Sequence, residues 1–397
     1  MEPEHQPQST APPAADHAET VLTPPSGNLA PAEPAPPAQP VPNDEPYRGL
    51  HWIFIGPQGL RAGWSVLLFL LFFYSFEYAF VIAIYDFHLI RGGDDFTLRS
   101  EFFGEVVSVL ALLIAVGVVG LLEGQRIMDY NLTGPRRMQH FFFGLAAGFL
   151  ALSALIGVLA AGGWLHFGPV ALSGAAIFRY ALLWGCVFLM GACFEEGEFR
   201  CYLLFTLNRG INYWWALGIC AYFCARLAMR PHSNSNVWGV YAVILVGLIP
   251  CLLLHLRRAP NSGFWCAAWV TSIYFGDVHL SNPGETSIGI FAAAFIGFVF
   301  CVSVRVTGSA WWAIGCHAGW DWGETYFYGT ADSGLTPQGC YLTSHPAGNP
   351  LWSGGAVGPE GSVLVLAAIL FLLVLVLFYG RLSTRMQSAP QAAMPLP

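Results

Sequence analysis

Ten predominantly apolar stretches follow one another along this chain, and they restrict it to very few architectures. They cover residues 64–86, 103–122, 139–162, 176–206, 213–229, 239–256, 263–281, 287–306, 310–328 and 361–380. A helix needs about 20 apolar residues to cross the hydrocarbon core of a bilayer. The expected fold is therefore all-α, a polytopic transmembrane helical bundle of about 8–10 spans. Composition agrees: of 397 residues, 55% are hydrophobic and only 10% charged, against about 25% charged in soluble domains. The net charge of −7 does not point to a partner, since much of it sits in an N-terminal tail carrying Glu2, Glu4, Asp16, Glu19, Glu33, Asp44 and Glu45. No basic stripe or nucleic-acid module is present, so no nucleic-acid partner is expected.

That tail, residues 1–46, is rich in Pro, Ala and Gln (PAEPAPPAQPVPNDEP). It cannot bury enough apolar surface to offset its ordering entropy and is expected to be disordered. The organisation expected beyond it is N-terminal transmembrane helices at 47–175, a second transmembrane region at 176–330, an outer loop and final helix at 331–385, and a disordered C-terminal tail at 386–397. Nine of the ten cysteines lie in apolar stretches and read as small core residues, with Cys340 in a loop. With the N-terminus in the cytoplasm, Arg48, Arg61, Arg126, Arg136, Arg137, Arg209, Arg257, Arg258, Arg305, Arg381 and Arg385 fall on the cytoplasmic side, and Arg91, Arg99 and Arg230 oppose them. The positive-inside rule then places both termini in the cytoplasm.

Ionisable side chains are costly at membrane depth and persist mainly where a site needs them. Three short motifs carry them here: Glu195-Glu196-Gly197-Glu198-Phe199-Arg200, Phe275-Gly276-Asp277-Val278-His279, and His317-Ala318-Gly319-Trp320-Asp321. On a helix Glu196 and Arg200 share a face, while Glu195 points about 100° away. Arg200 can neutralise Glu196 and leave Glu195 to take a proton from water. Asp277 could orient His279 only where the backbone bends, because residues two apart diverge on a helix. His317 and Asp321 share a face beside Gly315 and Gly319, a small-residue groove that admits a neighbouring helix. Trp311, Trp312, Trp320 and Trp322 around them read as an interfacial belt. His345, in the loop 329–360, reads as a surface residue. The span boundaries set the carboxylates and His279 further apart in depth than one site allows, so a boundary or the topology between them must differ.

EExxxR, FxxxH and HxxxN/D, in that order on membrane helices, resemble the signature of the CPBP family of CAAX proteases and bacteriocin-processing enzymes, which is similar to the type II CAAX prenyl endopeptidases. The flanks GSAWWAIGCHAGWDW and FGDVHLSNPGE also look like those of bacterial members, and the resemblance covers residues 176–330. It implies a glutamate-dependent intramembrane endopeptidase, a hydrolase historically classed as a metalloprotease. Glu195 would be the general base acting with His279, Glu196 and Arg200 would brace it, and His317 and Asp321 would stabilise the oxyanion. The implied substrate is a membrane-associated peptide or protein, prenylated CAAX-type or a leader peptide, met within the lipid bilayer. The implied location is the bacterial inner membrane. No cofactor is required on this reading; were zinc used, Glu195, His279 and His317 would hold it. Two departures stand out. Asp321 replaces a frequent Asn, and an ionised Asp cannot donate to an oxyanion. Residues 211–262 look like an inserted helical hairpin. The competing readings are a proton-coupled transporter, with Glu77 and Glu105 as further relay members, and a catalytically inactive immunity or scaffold protein of the same fold.

Overall fold

The computed structural model describes residues 51–57, 59–89, 96–229 and 237–388. The tail expected at 1–46, the loop residues Arg91 and Arg230, and 389–397 of the expected C-terminal tail lie outside the described residues. The fold is mostly helical. In chain order the helices are α1 (Ala62–Asp86), α2 (Leu98–Glu123), α3 (Arg137–Ala161), α4 (Ala175–Glu196), α5 (Leu204–Asn208), α6 (Tyr213–Ala228), α7 (Val237–Leu256), α8 (Ser262–Val278), α9 (Ser287–Thr307), α10 (Trp311–Asp321) and α11 (Val365–Ser388). A π-helical turn, Gly197–Leu203, joins α4 to α5, and a second, Trp322–Tyr328, extends α10. A short antiparallel ladder of β1 (Leu165–Phe167) and β2 (Ser344–Pro346) pairs His166 with His345, and His345 is exposed as expected.

Local chemistry sets the helix starts. Thr97 caps α2, accepting from Ser100 N at 3.2 Å while Thr97 N donates back to Ser100 Oγ; such a cap is worth about 1 kcal/mol. Asn212 caps α6 through two backbone N–H groups, and Thr286 caps α9 after the Pro283-Gly284 turn. Among the described residues, six helices are long and apolar enough to cross a membrane: α1, α2, α3, α4 with its continuation to Asn208, α9 and α11 as far as Leu382. The expected crossings at 213–229, 263–281 and 310–328 are also helical, but α6, α8 and α10 have only 16, 17 and 11 residues. Leu67, Leu71, Phe371 and Phe378 leave large apolar surface exposed on α1 and α11, where a bilayer rather than protein would cover it.

Two apolar cores lie side by side. The first gathers Phe69, Ala115, Tyr202, Ala216 and Ala267 from α1, α2, the first π turn, α6 and α8. The second gathers Leu152, Val299, Trp312 and Leu372 from α3, α9, α10 and α11. Helix α10 serves both, with Ile314 and Ala318 in the first and Trp312 and Cys316 in the second, so His317 stands on the seam. Its seat against α3 is a reciprocal set of glycines. A Cβ on Gly144 or Gly148 would run into the α10 backbone at Trp312 or Cys316, and one on Gly315 or Gly319 would run into the α3 backbone at Phe141 or Leu145. The groove expected beside His317 therefore exists, and α3 fills it with a matching pair of its own. Residues 213–256 form α6 and α7, and both pack on α8.

Candidate active site

The first motif does not continue as a regular α-helix. Helix α4 ends at Glu196 and the chain widens into the π-helical turn, a device common at functional sites because it breaks the regular side-chain register. The backbone carbonyl of Arg200 accepts a hydrogen bond from Asn131 Nδ2 at 2.7 Å. Asn131 holds a positive φ of 55° in the loop before α3, which Asn tolerates better than most residues, and its own carbonyl accepts from Ala310 N at the start of α10. One asparagine thus couples the first π turn to the start of α10, and no sequence motif marked it.

Inside the turn Arg200 and Glu196 form a fully buried ion pair, Nη1 to Oε1 at 3.1 Å. The guanidinium sits 4.2 Å from the Phe275 ring centroid and 5.2 Å from that of Phe300. A Cβ on Gly297 would come within 2.7 Å of its Nη2, so that glycine makes room for it. These aromatic faces stabilise a desolvated cation, by about 2 kcal/mol or more when buried. Glu196 also accepts from His317 Nδ1 at 3.0 Å. The other ring nitrogen, Nε2, lies 3.3 Å from Asp321 Oδ2 and 3.8 Å from Glu195 Oε2. Glu195 keeps a side-chain exposure of 32% against 0% for Glu196, and its Oε2 has no hydrogen-bond partner among the described residues. The expected division between a braced and a free carboxylate is therefore present.

His279 closes α8. Its Nδ1 donates to the Phe275 carbonyl at 2.7 Å, which fixes the tautomer and leaves Nε2 as the basic nitrogen. Asp277 does not orient it: that carboxylate pairs with Arg226 of α6 at 2.7 Å, because residues two apart on α8 diverge. His279, His317 and Asp321 line one cavity of about 70 Å³, together with Phe275, Phe300, Trp320 and apolar side chains of α9 and α11. The Phe275 ring bridges the two histidines, at 4.6 Å from His279 and 6.3 Å from His317. The depth mismatch expected from span boundaries is thus absent, since α8 is short and ends at the level of the π turn in α4. Glu105, a relay member on the transporter reading and a bystander on the proteolytic one, lies against α4: a Cβ on Gly191, one turn before Glu195, would sit 3.2 Å from its Oε1.

The tryptophans are not an interfacial belt. Trp312 is fully buried and Trp320 nearly so, while the Trp311 and Trp322 indoles donate to the carbonyls of Leu132 and Ala181 at 3.0 and 2.9 Å. An aromatic N–H that finds a partner can be buried without penalty, and α10 lies inside the bundle. Most cysteines are buried or half-buried and unbridged as expected, but Cys186 is exposed and Cys340 is buried despite its loop position.

Among the described residues, the His, Cys, Asp and Glu atoms close enough together to share a cation are not those of Glu195, His279 and His317. They belong to Glu324, Asp332 and Glu360, which no motif had indicated.

Residues 251–323 match the sequence model of the family described as Type II CAAX prenyl endopeptidase Rce1-like. No curated protein and no solved structure matches the chain. The matched segment contains the second and third motifs and ends two residues beyond Asp321, while Glu195, Glu196 and Arg200 precede it. Over that segment the chain is similar to the CAAX-type membrane proteases.

Proposed function

We propose that the chain is a multi-pass intramembrane endopeptidase that hydrolyses a peptide bond by glutamate-activated water. The observation that carries this reading is the five-group constellation gathered around the end of α4. Glu196 is neutralised by Arg200 and bonded to His317, Glu195 is left without a hydrogen bond, and His317 shares its cavity with His279. Glu195, assisted by His279 Nε2, takes a proton from water as the oxygen attacks the scissile carbonyl. The tetrahedral oxyanion is held by His317 Nε2–H, which is shared between it and Asp321 while Nδ1–H stays on Glu196. The C–N bond then breaks and the proton passes to the leaving amine. Asp321 acts through His317: at 3.3 Å from Nε2 its carboxylate accepts from the ring and favours the doubly protonated imidazole, so no protonated Asp is needed.

The substrate is a membrane-associated peptide or protein whose cleavable segment reaches the apolar cavity, of CAAX or leader-peptide type. The chemistry proposed uses no metal. The location proposed is a bacterial inner membrane with both termini in the cytoplasm, an orientation supported by the arginine distribution. The test is cleavage of a panel of membrane-tethered peptides, prenylated and not, by purified protein in detergent. Loss of cleavage in Glu195→Gln and His279→Ala, with indifference to the zinc chelator 1,10-phenanthroline, is expected. Cleavage abolished by that chelator and restored by zinc would replace the glutamate mechanism, and variants as active as wild type would remove these residues from it.

A further inference from the structure

Beyond the cavity that holds the histidines, three carboxylates from three separate segments converge. Glu324 lies on the second π turn, Asp332 in the loop after it, and Glu360 in the 3-10 turn Pro359–Gly361 before α11. Each offers an oxygen, and these oxygens all lie within 4.8 Å of one another. Neutral donors fix the three side chains in place. Trp320 Nε1 donates to Glu324 Oε2 at 2.8 Å and to Glu360 Oε1 at 3.2 Å. Thr325 Oγ1 donates to Asp332 Oδ2 at 2.7 Å, and Ser333 Oγ to Glu360 Oε2 at 3.0 Å.

Two further observations point to a ligand. Glu324 is 0% exposed, and its Oε1 is buried with no donor among the described residues. In addition, no arginine, lysine or histidine among the described residues forms an ion pair with any of the three. A buried carboxylate oxygen without a donor is costly unless a positive charge meets it. Three converging carboxylate oxygens suit a hard cation that accepts flexible oxygen coordination at about 2.3–2.6 Å, whereas Mg²⁺ demands near-octahedral geometry at about 2.0–2.1 Å and usually keeps several waters with only one or two carboxylates.

We propose that Glu324, Asp332 and Glu360 form a binding site for a divalent cation of the calcium type. The ion would tie the loop at 330–335 and the entrance to α11 onto the end of α10, three residues past Asp321. Glu360 also lines the histidine cavity, so the ion would brace one wall of it without touching the reacting atoms. This inference does not depend on the proteolytic reading, because its readout is binding.

The experiment is terbium luminescence on the full chain in detergent, stripped of divalent ions and excited through tryptophan, with Trp320 bonded to two of the three carboxylates. The expected result is saturable emission displaced by Ca²⁺ at lower concentration than by Mg²⁺. Glu324→Gln and Asp332→Asn should each bind at least about tenfold more weakly, the lower end of what disturbing a metal site costs. Asp332 is only half-buried, so its variant keeps the test valid if Glu324→Gln does not fold. Calcium should also raise the thermal midpoint of wild type but not of Asp332→Asn. Absence of saturable emission, or unchanged affinity in both variants, would overturn the proposal in favour of carboxyls that share protons. Equal displacement by Mg²⁺ would overturn the calcium-type assignment.

Discussion

Helix α10 and its π-helical extension connect two polar clusters built on opposite principles. Around His317, three carboxylates face an arginine and an imidazole, so most of their charge is met within the protein. Around Glu324, three carboxylates meet only indole and hydroxyl donors. The first cluster can keep Glu196 ionised in a dry interior because Arg200 is buried with it. The second can be filled with negative charge only when something positive arrives from outside, a proton or a metal ion. Burial therefore does opposite things in the two places: it fixes a charge state in one and makes it conditional in the other.

That contrast can be broken by experiment. The largest effect is expected from Glu195→Gln, which should reduce turnover of a cleaved peptide by about 10²–10⁴-fold with no change in thermal midpoint. A variant that loses stability along with activity would show that Glu195 is structural, like its neighbour. Next, Arg200→Met leaves Glu196 as an uncompensated buried charge and should destabilise the fold by about 3–5 kcal/mol. The matching change in the other cluster, Glu324→Gln, removes a charge rather than stranding one. In ion-free protein it should leave the denaturation midpoint in place or raise it. Equal destabilisation by the two would erase the distinction.

The pH response sharpens the comparison further. Burial pushes Glu360 up to about 8 and Asp332 up to about 6. A carboxyl raised on folding binds its proton more tightly in the native state, so its contribution to stability is present at low pH. It is lost as pH rises from the ordinary carboxylate range through the raised value. Ion-free protein should therefore unfold at progressively lower temperature from pH 5 to pH 9, a range bracketing the two raised values, and calcium should flatten that slope. A thermal midpoint indifferent to pH in ion-free protein would remove the conditional character of this cluster. The smallest effect concerns the coupling of π turn to α10. Asn131→Ala should cost about 0.5–1.5 kcal/mol, read from chemical denaturation, with a larger fractional loss of activity than of stability.

The balanced cluster was largely legible in the sequence, and the conditional one was not. Glu196 and Arg200 at i and i+4, and His317 and Asp321 likewise, declare a shared face by spacing alone, and both pairs are found in contact. Glu324, Asp332 and Glu360 belong to three segments whose meeting depends on how a long loop folds back, which no local periodicity encodes. Asn131 was missed for the same reason. Its partner lies 69 residues away, and only the open carbonyl of a π turn creates the need for it. The tryptophans of α10 were misplaced because frequency near an apolar segment's end is the same for a belt as for a core. The distinguishing fact is what surrounds each indole: those of Trp311, Trp320 and Trp322 donate to carbonyl or carboxylate oxygens of the bundle, and Trp312 is fully enclosed by it although its N–H has no acceptor among the described residues.

The glycine pairs between α3 and α10 carry a mechanical consequence. Backbone meets backbone at four points over about two turns, with no side chains between to act as a cushion. A slide of even one residue, about 1.5 Å along the axis, would drive a bulkier position such as Phe141 or Trp312 into the partner's main chain. Helix α10 therefore serves as the fixed jaw of the site, holding His317 in one place whatever else moves. On the proposed proteolytic reading, any opening for a peptide falls to the other wall, where α9 and α11 face the cavity through Ala292, Ala293, Ile369 and Leu372. A substrate would in that case arrive sideways, out of the lipid and between two helices.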